Sequence, residues 1–115
     1  MIKRAGELDS EVFPGRFGGK GEVKVTRILE KEEFHGKGRQ YARNTLEPGS
    51  SLGYHQHNGD FEVYYILRGQ GTVNDNGVET VVGPGDVVVT GDGQKHSIEN
   101  TGDTTLEYIA LVLFS

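Results

Sequence analysis

The chain has 115 residues, the size of one domain, with 34% apolar and 25% charged residues. Its net charge is −5 and no cluster of Lys or Arg stands out, which argues against a nucleic-acid partner. With no cysteine, disulfides and thiolate chemistry are excluded, and any metal has to be held by His, Asp or Glu.

The unbroken apolar run from Tyr108 to Phe114 is far shorter than the roughly 20 residues of a membrane-crossing helix, so no membrane is expected. Acidic residues (Glu7, Asp9, Glu11), not an apolar stretch, follow the basic N-terminus. No secretory signal is therefore expected, and the expected location is cytoplasmic. Eighteen glycines are roughly twice ordinary usage. Together with abundant Val and Thr, they point to short strands joined by tight turns.

Residues 1–21 read as irregular, ending in the glycine-rich Phe17-Gly18-Gly19-Lys20-Gly21. That run lacks the strand before and helix after it that a phosphate cradle needs, so it reads as a flexible or edge segment. Residues 22–29 begin as an alternating strand, and 30–34 suit one helical turn. Strands follow over 39–46, 54–57, 61–67 and 71–74, stopped by Pro48-Gly49, Asn58-Gly59-Asp60 and Gly69. Asn74-Asp75-Asn76-Gly77 is a hairpin signal, because Asn and Gly tolerate the positive φ of such turns. Further strands are expected at 78–82, 86–90, 95–100 and 104–114. Eight to ten short strands with frequent turns predict an all-β sandwich or barrel.

Three of the four histidines fall at informative places, and the fourth, His35, reads as solvated. His55 and His57 are two apart on a short strand, so their side chains leave by one face. Glu62 follows a turn that folds the next strand back, and His96 lies on another strand after a Gly-rich turn. Three imidazoles and a carboxylate converging on one point suit Fe, Mn, Zn, Ni or Cu and leave coordination positions open. The plain alternative, a chance His-x-His pair facing solvent, stands until the surrounding glycines are considered.

Those glycines complete two motifs. Gly49-x5-His55-x-His57-x4-Glu62-x6-Gly69 and Gly85-x5-Gly91-x-Gly93-x2-His96-x3-Asn100 resemble the two signature motifs of the cupin superfamily. The one departure is Gly91, where the family usually has proline; it concerns a turn, with a looser approach to His96 as its expected cost. The resemblance implies a small single-domain cupin: a double-stranded β-helix, or jelly-roll barrel, with one divalent transition metal inside. It places His55, His57, Glu62 and His96 at the metal-ligand positions. Residues 1–30 are then an N-terminal irregular segment and first strand of the same domain, and 31–115 the cupin barrel.

Tyr64, Arg43 and Asn100 are the candidate substrate-contacting residues, and no catalytic acid or base can be named. Each has a simpler role available: Tyr64 as core filler, Arg43 as an exposed strand charge, Asn100 as a structural hydrogen-bonder. Val63, Tyr65 and Leu67 face away from Glu62, and the last strand is apolar on both faces. A sheet apolar on both faces needs cover on both. A second copy of the chain, in a homodimer, or the N-terminal segment has to provide it.

A divalent ion with three neutral imidazoles and one carboxylate has a net charge of about +1, favouring a small anionic or chelating ligand: a carboxylate, hydroxy acid or sugar derivative. Two function classes follow. One is a metal-dependent enzyme of oxygenase, decarboxylase or isomerase type, towards which the reading leans; the other is a non-catalytic module that binds or senses a small molecule. The lack of an appended DNA-binding segment weakens the regulatory version of the second.

Overall fold

The computed structural model describes all 115 residues. Ten strands are present: β1 (Ser10–Pro14), β2 (Glu22–Arg27), β3 (Gly38–Leu46), β4 (Ser51–Gln56), β5 (Asp60–Arg68), β6 (Gly71–Asp75), β7 (Val78–Val82), β8 (Val87–Thr90), β9 (Lys95–Asn100) and β10 (Leu106–Phe114). They form a six-stranded sheet in the order β1-β2-β3-β10-β5-β8 and a four-stranded sheet in the order β4-β9-β6-β7. Every pairing is antiparallel. The two sheets are the halves of a double-stranded β-helix, with the core between them.

Alternation along the strands decides what enters that core. On β5, Asp60, Glu62, Tyr64 and Ile66 are buried, and on β9 His96, Ile98 and Asn100 are buried. Leu106, Tyr108, Ala110 and Val112 do the same on β10, while Phe114 at its end is exposed. The apolar core joins Leu46, Leu52, Val73, Ile98 and Leu106 around the tilted pair Tyr64 and Tyr108. His57, Asp60, Glu62, Thr90 and His96 form a cluster of buried polar residues at one end of the barrel.

The hairpin at Asn74–Gly77 takes the expected form, with Asn76 and Gly77 at φ 51° and 95° and the Asn74 side chain accepting from the Gly77 N–H at 2.8 Å. The helical turn expected after β2 is a 3-10 turn at Lys31–Phe34, capped reciprocally by Glu30 and Glu33, and two more short 3-10 turns lie at Ala5–Glu7 and Arg16–Gly18. No helix is long and apolar enough to cross a membrane.

One expectation is corrected. Residues 10–14 are a strand, not an irregular segment, pairing with β2 from Ser10↔Thr26 to Pro14↔Glu22. Its sequence conceals it because β1 is an outer edge strand: Phe13 alone is half-buried, so no alternation is written into it. Pro14 is tolerated at its end because an edge strand leaves some N–H positions unused.

Candidate metal centre

Two sheets meet at the site. His55 and His96 are cross-strand partners on β4 and β9, Glu62 comes from β5 in the other sheet, and His57 lies one residue past the end of β4. A break in the β4 register between Leu52 and His55 turns this end of the strand inward. His57, Glu62 and His96 are 3%, 4% and 0% exposed. His55 is half-buried at the cavity side.

Four donor atoms converge. His57 Nε2 and His96 Nε2 stand 3.0 and 3.1 Å from Glu62 Oε1, and 3.1 Å from each other. His55 Nε2 is 3.1 Å from His96 Nε2. All four donors lie within 4.8 Å of one another.

The opposite ring nitrogens fix this arrangement. His55 Nδ1 donates to the Gly53 carbonyl at 2.8 Å, and His57 Nδ1 donates to Asp60 Oδ1 at 2.7 Å. Both partners are pure acceptors, so in the neutral rings Nε2 carries the lone pair. His96 Nδ1 has the Thr90 hydroxyl at 2.7 Å, which can accept in the same way. Three imidazole lone pairs can thus face one point, an arrangement that could hold a cation between them. Ligands bound at about 2.1 Å on adjacent positions stand about 3 Å apart, which matches the spacings here. The donor set fits a divalent transition metal.

Electrostatics agree. Glu62 raises the His57 pKa above its ordinary value, against the opposing effect of burial, and Asp60 adds to the rise. Burial alone would push the Glu62 carboxyl up, but His57 and His96 together bring it down to about 2. Burial lowers His55. Asp60 is also drawn to Arg39, whose Nε donates to Oδ2 at 2.7 Å, and despite burial its carboxyl sits below its ordinary value.

The turn bearing Gly91 is tightly held. The Gly91 N–H donates to Gln94 Oε1 at 2.7 Å, a bond a proline could not make. Gly93 N–H donates to the His57 carbonyl at 2.7 Å, and His57 N–H to the Gln94 carbonyl at 2.9 Å. The expected loosening near His96 is not seen.

A family profile described as Cupin domain matches residues 42–113. The chain belongs to the cupin family. This cupin is 48% identical over 113 residues to a curated relative named oxalate-binding protein from Thermotoga maritima, a match spanning 98% of this chain and 93% of the relative. It also superposes, with a TM-score of 0.95 at 47% identity and full coverage of both chains, on a crystal structure described as a predicted oxalate decarboxylase from the same organism. The polyketide cyclase RemF of Streptomyces resistomycificus shares the fold at 20% identity and a TM-score of 0.79, covering 98% of this chain and 80% of that one.

The other candidate residues fall in different places. Tyr64 is buried behind the site, its ring stacked on His96 at 5.0 Å and its hydroxyl 3.5 Å from Nε2. Asn100 is remote: its amide donates to the Leu46 and Thr104 carbonyls and accepts from Gly102 N–H, closing the loop before β10. Arg43 is exposed, opposite Ile109 on the outer face, and does not line the cavity. Parity explains it, since the buried positions of β3 are Gly38, Ala42, Asn44 and Leu46.

Residues not singled out from the sequence complete the cavity, a space of about 190 Å³. The Phe17 ring stacks on the His55 ring at 3.9 Å and 17°, roofing the site from the turn after β1. Arg16, Arg27, Arg39 and Asn44 also line it. Asp60 and Thr90 had a readable signal, lying in register with Glu62 and just before the Gly91 turn. Phe17 had none, because its placement depends on an edge strand that the sequence hides.

Proposed function

We propose that this cupin binds a small dicarboxylate of the oxalate type at a divalent metal ion held by His55, His57, Glu62 and His96, without transforming it. When bound, the ion supplies an electrophilic anchor for carboxylate oxygens. The chain's own residues supply the rest. Gly53, Asp60 and Thr90 orient the three rings, and Phe17 and Leu52 exclude water around them.

The observation that carries the reading is the cavity lining. Three arginines line it, and Glu62, itself a ligand, is the sole carboxylate. Cations suit an anionic ligand. A reaction that moves protons needs a further acid or base within reach of the substrate, and the lining offers no spare carboxylate or imidazole. The named relative supports the choice of oxalate over other small acids.

The reading extends to assembly as a homodimer. The N-terminal strands extend the six-stranded sheet beyond β3 and leave the outer face of β5 and β8 uncovered: Tyr65, Val87 and Val89 are 46%, 58% and 59% exposed. A second copy is the cover that remains.

Calorimetric titration of metal-loaded and metal-stripped protein with oxalate, glycolate and acetate tests the ligand. Heat with oxalate in the loaded form alone is expected, with no carbon dioxide or formate released on prolonged incubation. Equal or absent heats in both forms would defeat the binding reading, and released carbon dioxide would replace it with decarboxylation.

A further inference from the structure

The three arginines of the cavity are not equivalent. Arg39 is committed to Asp60 at 2.7 Å, and Arg27 to Glu11 at 2.7 Å and Glu30 at 3.3 Å. Arg16 has no carboxylate partner and no side-chain hydrogen bond. Its guanidinium lies instead over two aromatic faces, 4.5 Å from the Phe13 ring centre and 4.8 Å from that of Phe17. Phe17 in turn stacks on His55. A metal ligand, an aromatic ring and a cation therefore form one column at the mouth, with the guanidinium's five donors unspent.

That column is built, not incidental. The turn takes left-handed backbone at Gly15, at Gly18 and at Phe17, where φ is 53° and a side chain pays for the conformation. It is pressed against β4 so closely that a Cβ on Gly53 would lie 1.9 Å from the Phe17 carbonyl oxygen, and one on Gly19 2.1 Å from that of Ser51. Two glycines facing each other across this contact set the height of the shelf that carries Arg16.

Charge says what the shelf is for. The ion with three neutral imidazoles and Glu62 carries about +1, which a monocarboxylate neutralises by itself. A dicarboxylate leaves one negative charge over, facing the mouth. Resting on the binding reading above, we infer that Arg16 is a specificity-determining residue that selects dianionic over monoanionic ligands by pairing with the carboxylate charge the metal leaves uncompensated. A purely structural cation–π role predicts no difference between the two ligand charges.

Oxalate and glycolate test this, because both are two-carbon chelating acids and differ in charge. Their affinities are measured by calorimetry on metal-loaded wild type, Arg16→Gln and Arg16→Lys, with metal content determined in each. Arg16→Gln should weaken oxalate about tenfold, the loss of one charged hydrogen bond, and glycolate less than about twofold, at unchanged metal content. Arg16→Lys should restore most of the oxalate affinity. Equal losses for the two acids, no loss for either, or a lysine variant as weak as the glutamine one would overturn the inference while leaving the binding reading intact. Wild type that binds no oxalate overturns both.

Discussion

The Phe17 ring lies flat on the His55 ring, 3.9 Å away and tilted by 17°, so the turn after the first strand rests directly on one of the four residues that could hold a metal. Only glycine permits this at Gly53, where an added methyl would meet the Phe17 carbonyl oxygen at 1.9 Å. Gly53→Ala should therefore lift the roof. The expected cost is about 1–3 kcal/mol, as for other overpacked sites, with faster tryptic cleavage at Arg16 and Lys20. Gly83→Ala, with open space around it and no positive φ, is the matched control and should change neither. Equal melting temperatures and cleavage rates in the two variants would mean that the contact does not hold the turn.

Asp60 serves His57 from behind and is itself held by Arg39. Asp60→Asn keeps the shape and can keep an acceptor for Nδ1, but removes the negative charge that makes the ring a better donor to metal. Outer partners of this kind are typically worth 10- to 100-fold in metal affinity. Competition against a chelator should show a loss in that range for Asp60→Asn. Thr90→Val, which removes a neutral partner of His96, should lose less. Unchanged affinity in Asp60→Asn would show that the carboxylate orients nothing.

Much of this centre was legible beforehand, and the reason is periodicity. The four candidate ligands sit on strands or, for His57, one residue past a strand end, where two-residue alternation fixes the face, and turn glycines punctuate those strands at fixed intervals; hence His55, His57, Glu62 and His96 could be named together. Buried Glu62 and His96 followed from the same parity that buries Tyr64 and Ile98. The roof was not legible, because Phe17 gains its meaning from an exposed edge strand whose residues need no apolar pattern. Arg43 shows the opposite limit: a charge on a strand can be assigned a face only when its neighbours reveal which face is inner, and Gln40, Ala42, Asn44 and Leu46 mix polar and apolar.

In the metal-free protein, Glu62 and His57 form a buried ion pair with a defined pH window. Glu62 titrates at about 2 in the fold against an ordinary 4.5, so its stabilisation is present above 4.5 and is lost as pH falls toward 2. His57 is raised above 6.5, so its share is complete below 6.5 and is lost as pH rises through the raised value. The stability difference between wild type and Glu62→Gln, both stripped of metal, should accordingly be largest between pH 4.5 and 6.5 and shrink on either side. Using the difference removes most of the effect of His55, whose pKa is lowered chiefly by burial in both proteins and is held up only in smaller part by Glu62. Denaturant midpoints across pH 2.5–8.5 check it, and a difference that keeps growing above pH 8 would refute the pairing. Metal loading should reverse the alkaline limb, because protons compete with the ion for the same nitrogens.

The outer face of the six-stranded sheet presents Val63, Tyr65 and Leu67 on β5 beside Val87 and Val89 on β8, with Ile109 and Leu111 on β10 completing the row. Val63 pairs with Val89 and Tyr65 with Val87, so the patch is continuous across three strands. A contiguous apolar surface of this kind is where the proposed homodimer would meet. A two-fold contact would use it twice, setting each residue in both halves of the interface. Val89→Lys then removes two buried valines and adds two charges at once. At about 1.5 kcal/mol for each valine, the dimer dissociation constant should rise more than a hundredfold. Val89 is exposed within the protomer, so circular dichroism and the melting curve of the dilute monomer should stay as in wild type. Sedimentation of wild type and variant at high micromolar concentration decides the matter. A wild-type chain that sediments as a monomer there would remove the dimer from this reading and leave the valine row as bare surface.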